Sequence, residues 1–150
     1  ASFIGMDQYG KTAVYSTTGN DACHLILRGG RSGPNYHEED VENAEQMMLD
    51  AQLTPSVVVD CSHANSGKKS PRQRRVMRSI IDQVMRGQKV LSGFMMESNL
   101  FEGRQEIPEN LAQLKYGVSV TDECIGWDET EKLVLQAYQN LSKVGVAGKA

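Results

Sequence analysis

Two spacings constrain this chain more than anything else in it. Arg28, His63 and Glu97 each close an apolar, β-like run, and they stand 35 and 34 residues apart. That interval is the length of one strand–helix step, so the cadence predicts parallel strands joined by helices. The middle run, Val57-Val58-Val59, is apolar without alternation, as in strands covered on both sheet faces. A closed (β/α)8 barrel needs about 250 residues. A chain of 150 residues can therefore supply only part of one, and the expected fold class is α/β, a partial barrel forming one unit over residues 1–150.

The rest of the pattern fills in around that cadence. Ser2 to Met6 and Lys11 to Thr17 read as a hairpin turning over Asp7-Gln8-Tyr9-Gly10. Cys23 to Arg28 reads as the next strand, closed by Gly29-Gly30. Val41, Ala44, Met48 and Ala51 recur at helical spacing, which predicts a helix over 38–52 that Pro55 follows. Ala64 to Lys69 reads as a loop leading to Ser70-Pro71, an N-cap followed by a proline at the first helical position. Val76, Ile80 and Val84 then mark a helix ending at Gly87, before a strand over 90–97. Ile107 to Lys115 carries only a weak helical signal, and Val118 to Asp122 reads as a further strand. Val134, Ala137, Tyr138 and Leu141 mark a last helix, and residues 144–150 read as a frayed tail.

Composition excludes several classes of function. Sixteen basic against 19 acidic residues give a net charge of −3, too mild for a nucleic-acid or membrane surface. Lys68, Lys69, Arg72, Arg74 and Arg75 read as a solvated loop and helix face, or else as a contact for an anion. No apolar run approaches the roughly 20 residues of a membrane span, and no signal-peptide pattern opens the chain, so the expectation is a cytoplasmic protein. Cys23, Cys61 and Cys124 lie beside apolar residues without Cys-x-x-Cys spacing and read as free thiols. Gly29, Gly30 and Gly33 match neither a dinucleotide fingerprint nor a P-loop.

The carboxyl ends of parallel strands share one edge, where ligands bind. His63, Glu97 and Asp122 fall there, and an imidazole with two carboxylates suits a divalent cation. Each has a plainer reading: His63 as a hydrogen-bonded strand-end residue, Glu97 as half of an ion pair, Asp122 as a helix cap. Cys61 shares the His63 face of its strand but reads better as a core thiol. Arg28, followed by two glycines, is placed to recognise phosphate or carboxylate, or else to pair with a neighbouring acid. His24 and His37 read as local hydrogen-bonding residues, Trp127 as core or interface packing, and methionines 47, 48, 95 and 96 as core filling.

Four strings carry a resemblance: His24-Leu25-Ile26-Leu27-Arg28-Gly29-Gly30, Asp60-Cys61-Ser62-His63-Ala64-Asn65-Ser66, Met95-Met96-Glu97-Ser98-Asn99-Leu100, and Lys115-Tyr116-Gly117-Val118-Ser119-Val120-Thr121-Asp122 with Cys124-Ile125-Gly126-Trp127. In this order they resemble the class I 3-deoxy-D-arabino-heptulosonate-7-phosphate (DAHP) synthases. The resemblance implies the carboxyl-terminal half of a (β/α)8 TIM barrel with an added β-hairpin near its amino terminus. It implies an enzyme that condenses phosphoenolpyruvate with erythrose 4-phosphate at the first step of the shikimate pathway. His63, Glu97 and Asp122 would hold a divalent metal of the Mn, Fe, Co or Zn type, and Arg28 the phosphoenolpyruvate phosphate. A cysteine ligand and further cationic residues belong to an amino-terminal half that these residues do not include, so the 150 residues alone are expected to be inactive. The resemblance also makes residues 1–20 a regulatory element, with Phe3, Gly5 and Tyr15 facing an aromatic amino acid inhibitor, tyrosine by the small residue at position 5. A homo-oligomer is expected. The alternatives are a half-barrel interaction module without catalysis and a related phosphoenolpyruvate-dependent sugar-acid synthase.

Overall fold

A computed structural model describes residues 1–20 and 22–145. Strands β1 (Ser2–Met6) and β2 (Thr12–Ser16) form an antiparallel hairpin, with Phe3 opposite Tyr15 and Gly5 opposite Ala13. A separate sheet holds β3 (Leu25–Leu27), β4 (Val57–Asp60) and β5 (Leu91–Met95), parallel and side by side in chain order. Helix α1 (Glu38–Asp50) connects β3 to β4, and α3 (Gln73–Met85) connects β4 to β5. Helix α4 (Trp127–Lys143) follows and packs on α3. The molecule is mixed α/β, and the strand–helix cadence is realised twice.

The core lies between the sheet and its helices. Val57 and Val59 are fully buried against Val41, Ala44 and Met48 of α1 and Val76, Met77, Ile80 and Ile81 of α3, with Leu133 and Ala137 of α4 joining them. Those helical positions recur at three and four residues, the stripe that faces a sheet. The other face of the sheet is different: Val58 is only half-buried and Ile26 is 55% exposed. The all-apolar β4 is thus covered on one face, because the helices pack on one side and, among the described residues, no helix lies over the opposite one.

Several local expectations are corrected. Val118 to Asp122 is not a strand. Its main chain is paired with the irregular segment before it, through Phe101 N donating to Gly117 O (2.9 Å) and Gln105 N to Ser119 O (2.8 Å). The loop 64–69 contains a one-turn helix, α2 (His63–Ser66), which Gly67 ends at φ 64°. Ser70 does not cap α3; with Pro71 it forms a 3-10 turn over Ser70–Arg72, and α3 begins at Gln73. Residues 107–115 hold only a 3-10 turn, Leu111–Gln113, capped by Asn110. Trp127 opens α4 and is 55% exposed, so it is not a core residue, and of methionines 47, 48, 95 and 96 only Met48 is buried, Met47 (67%) and Met95 (36%) being exposed. His24 is exposed and makes no hydrogen bond among the described residues. Of the predicted tail, Val144 and Gly145 close α4, and 146–150 lie outside the described residues. The three cysteines are free. No helix among the described residues is long and apolar enough to cross a membrane.

Candidate metal centre

At the carboxyl edge of the sheet, β4 delivers an acid and then turns sharply. Asp60 is buried, and its carboxylate accepts two hydrogen bonds, from Ser62 N (2.7 Å) and from His63 Nδ1 (2.6 Å). A buried carboxylate needs such partners to offset its lost hydration. In the neutral imidazole the second bond places the proton on Nδ1 and leaves Nε2 free to ligate, the usual arrangement behind a metal-bound histidine. His63 holds a left-handed backbone, φ 42°. For a residue with a Cβ that costs about 1–3 kcal/mol, and such outliers concentrate at functional sites.

The free Nε2 faces two more carboxylates. It lies 3.8 Å from Glu97 Oε1 and 3.8 Å from Asp122 Oδ2, and the ligand atoms of all three residues lie within 4.8 Å of one another. Two ligands of one ion with bonds of about 2.1 Å stand at most about 4.2 Å apart, so both imidazole–carboxylate separations fit a shared cation. The donor set also fits chemically, because anionic oxygens crowded together are stabilised by positive charge between them. With Ser62, Lys68 and Glu123 the three line a small open cleft.

Beyond the Asp60–His63 bond, Glu97 is held from behind, and the loop of Asp122 is tied down. Ser62 Oγ makes a short hydrogen bond to Glu97 Oε2. The main chain of Glu97 is bonded on both sides by the wholly buried Gln73, its N donating to Gln73 Oε1 (2.7 Å) and its O accepting from Gln73 Nε2 (3.0 Å). The Asp122 loop is tied down through its neighbour Glu123, whose carboxylate accepts from Ser70 N (2.8 Å). Asn65, also fully buried, joins two strand ends by donating to Leu27 O (3.0 Å) and Asp60 O (2.9 Å). Its Oδ1 accepts from Asn35 N, and Asn35 Oδ1 accepts from Gly29 N (2.6 Å). Gly29 lies at φ 73°, and a Cβ there would come within 2.8 Å of Ala64 Cβ. The loop that carries Arg28 is therefore pressed onto the His63 turn.

The structure brings together His63, Glu97 and Asp122. Arg28 stands at the same edge, one residue beyond the Leu27–Val59 pairing, exposed and without an ion pair among the described residues, and it does not line the cleft. Phe3, Gly5 and Tyr15 belong to the separate hairpin, where the Phe3 and Tyr15 rings stack at 5.7 Å. The Tyr15 ring fills the space above Gly5, 3.1 Å from where a Cβ would be. Cys61 is fully buried, and burial, reinforced by Asp60, pushes its thiol up to about 12, so it is a core group and no ligand. Burial also raises the Cys124 thiol, with Glu97 and Asp122 adding to it against a lowering hydrogen bond from Ser119.

Sequence reasoning missed the supporting residues Asp60, Ser62, Asn65 and Gln73. Two signals were available. Asp60 ends an apolar run, where a carboxylate must find a partner, and Gln73 occupies the helical stripe of Val76, Met77 and Ile80, where a polar residue must be matched.

The sequence matches the DAHP synthetase I family over residues 4–135. It is 44% identical over 140 residues to the Tyr-sensitive phospho-2-dehydro-3-deoxyheptonate aldolase of Escherichia coli, covering 93% of this chain and 39% of that protein. It is 44% identical over 138 residues to the phenylalanine-inhibited phospho-2-dehydro-3-deoxyheptonate aldolase of Saccharomyces cerevisiae, covering 88% of this chain and 37% of that one. The solved phospho-2-dehydro-3-deoxyheptonate aldolase of Francisella tularensis superposes with a TM-score of 0.83 at 36% identity, over 99% of this chain and 42% of that chain. The chain thus spans about two-fifths of the length of these relatives.

Proposed function

The chain belongs to the DAHP synthetase I family, and from that premise we propose that it is the carboxyl-terminal half of a (β/α)8, metal-dependent synthase. The whole protein joins phosphoenolpyruvate to erythrose 4-phosphate, giving DAHP and phosphate, and works in the cytoplasm as a homo-oligomer. The observation that carries this reading is the convergence of His63 Nε2, Glu97 and Asp122 at one strand edge.

In this reading those three residues hold a divalent cation of the Mn, Fe, Co or Zn type. A cation held there supplies Lewis-acid polarisation of the erythrose phosphate aldehyde. Asp60 keeps the imidazole proton on Nδ1 and so keeps Nε2 available. Arg28 binds the phosphoenolpyruvate phosphate through its forked guanidinium. Carbon 3 of phosphoenolpyruvate attacks the aldehyde, and water adds at carbon 2 as phosphate leaves. The remaining cationic residues for the two phosphates come from segments beyond these 150 residues, which by themselves lack robust activity. Residues 1–20 form a regulatory element in which an aromatic amino acid, tyrosine in preference to phenylalanine, sits against Phe3, Gly5 and Tyr15.

Calorimetric titration with Mn(II) should reveal one site that His63→Ala abolishes. A chain that takes up no metal, or a variant that binds as well as its parent, ends the metal-centre reading. The full-length protein should release phosphate from phosphoenolpyruvate with erythrose 4-phosphate and not with arabinose 5-phosphate; the reverse preference identifies the eight-carbon sugar-acid reaction instead.

A further inference from the structure

The meeting of His63, Glu97 and Asp122 does not account for the glutamine that α3 buries beside them. Gln73 is the first residue of α3, and its side chain is wholly inaccessible to solvent. A buried amide is costly unless its donor and its acceptor are matched. Here both partners belong to one residue, since Gln73 Oε1 accepts from Glu97 N at 2.7 Å and Gln73 Nε2 donates to Glu97 O at 3.0 Å. Strand β5 ends at Met95, whose carbonyl takes the last bond from the β4 side, from Cys61 N (2.8 Å). Glu97 therefore lies two residues past the final ladder pair on that side. The Gln73 amide stands in for the departed strand, giving an acceptor to the N–H and, beside Ile125 N (3.1 Å), a donor to the carbonyl, as a neighbouring strand does. Ser62 holds the Glu97 carboxylate separately.

We propose that Gln73 is a positioning residue of the metal centre: by pairing with both main-chain groups of Glu97 it fixes the base from which that carboxylate reaches the cation. The inference rests on the metal-centre reading above. Ligand geometry tolerates only about 0.5 Å of displacement, and residues that orient metal ligands are worth about 10–100-fold in affinity.

Gln83 supplies the internal control. It is a second buried glutamine near the other end of α3, and its Nε2 donates to Tyr36 O (2.9 Å), away from the cleft. Mn(II) affinity, read from the spectroscopic signal of free Mn(II), and melting temperature should be measured on the full-length protein and on its Gln73→Met, Gln73→Glu, Gln83→Met and His63→Ala variants. Gln73→Met should weaken Mn(II) about 10–100-fold, while Gln83→Met leaves the affinity unchanged. Gln73→Glu, which keeps the acceptor for the Glu97 N–H and loses the donor, should fall in between. Equal affinities for Gln73→Met and Gln83→Met overturn the proposal. Should Gln73→Met fail to fold, a Gln73→Glu affinity equal to the parent's overturns it instead. Loss of binding in His63→Ala with no effect at Gln73 defeats this inference alone, whereas a parent protein that binds no Mn(II) defeats the metal-centre reading beneath it.

Discussion

The edge beyond β4 and β5 and the hairpin β1–β2 are both built from short strands, yet they are held by opposite means. At the edge, polar side chains are buried and matched: Asp60 to Ser62 and His63, Asn65 to two strand ends, Gln73 to Glu97. In the hairpin apolar side chains are exposed, Ile4 at 75%, Val14 at 74% and Phe3 at 55%, and the described hydrogen bonds of residues 1–17 all stay within it. A two-stranded hairpin is marginal by itself in water. The difference teaches that alternation and turn chemistry suffice to write a strand, but fixing a side chain to within a fraction of an ångström takes buried partners from other elements.

The contrast can be attacked first where it is steepest. Asp60→Ala strips the buried partner from His63 Nδ1 and Ser62 N. It should weaken Mn(II) about 10–100-fold and lower stability by about 2–3 kcal/mol, measured by titration and by urea unfolding of the same sample. A loss of stability with metal affinity intact would show that this network holds the fold and not the ligand.

An alkaline series probes the same edge by another route. The Cys61 thiol titrates near 9 when unfolded and at about 12 when folded. Between those values the unfolded chain has given up a proton that the folded chain keeps. Stability should therefore fall as pH rises from about 9 toward 12, by about 1.4 kcal/mol per unit. Cys61→Ala should flatten that slope in urea midpoints of the metal-free chain, and an unchanged slope would mean that the thiol is less buried than the structure has it.

The hairpin should give the smallest responses. Val14→Thr and Ile4→Thr, at exposed positions, should each change unfolding free energy by no more than about 0.5 kcal/mol and leave Mn(II) affinity untouched. A larger loss in the full-length protein would mean that this face is covered there, and would make the hairpin resemble the edge after all.

Much of this organisation was legible in the chain. The 35- and 34-residue cadence marks β3, β4 and β5, and the stripe of Val76, Ile80 and their neighbours marks α3, because burial imposes periodicity on apolar residues. His63 and Glu97 could be picked out because strand ends share an edge, whereas Asp122 was marked by a strand that does not form. What stayed hidden was set by polar pairing, which leaves no period. Asp122 reaches the site from an irregular loop whose bonds go to Gly103 to Gln105 and not to a sheet, although Val118 to Asp122 has a strand's composition. Gln73 and Asn65 look like ordinary polar residues until their partners, 24 and 38 positions away, are known.

The methyl group absent at Gly29 has its own consequence. Its main chain rests so closely against Ala64 and Asn65 that an added Cβ would come within 2.8–3.0 Å of them. Gly29→Ala would act as a wedge, prising the Arg28 loop from the His63 turn without changing either side chain. How closely the Arg28 loop approaches the His63 turn is thus set by a position that admits no side chain.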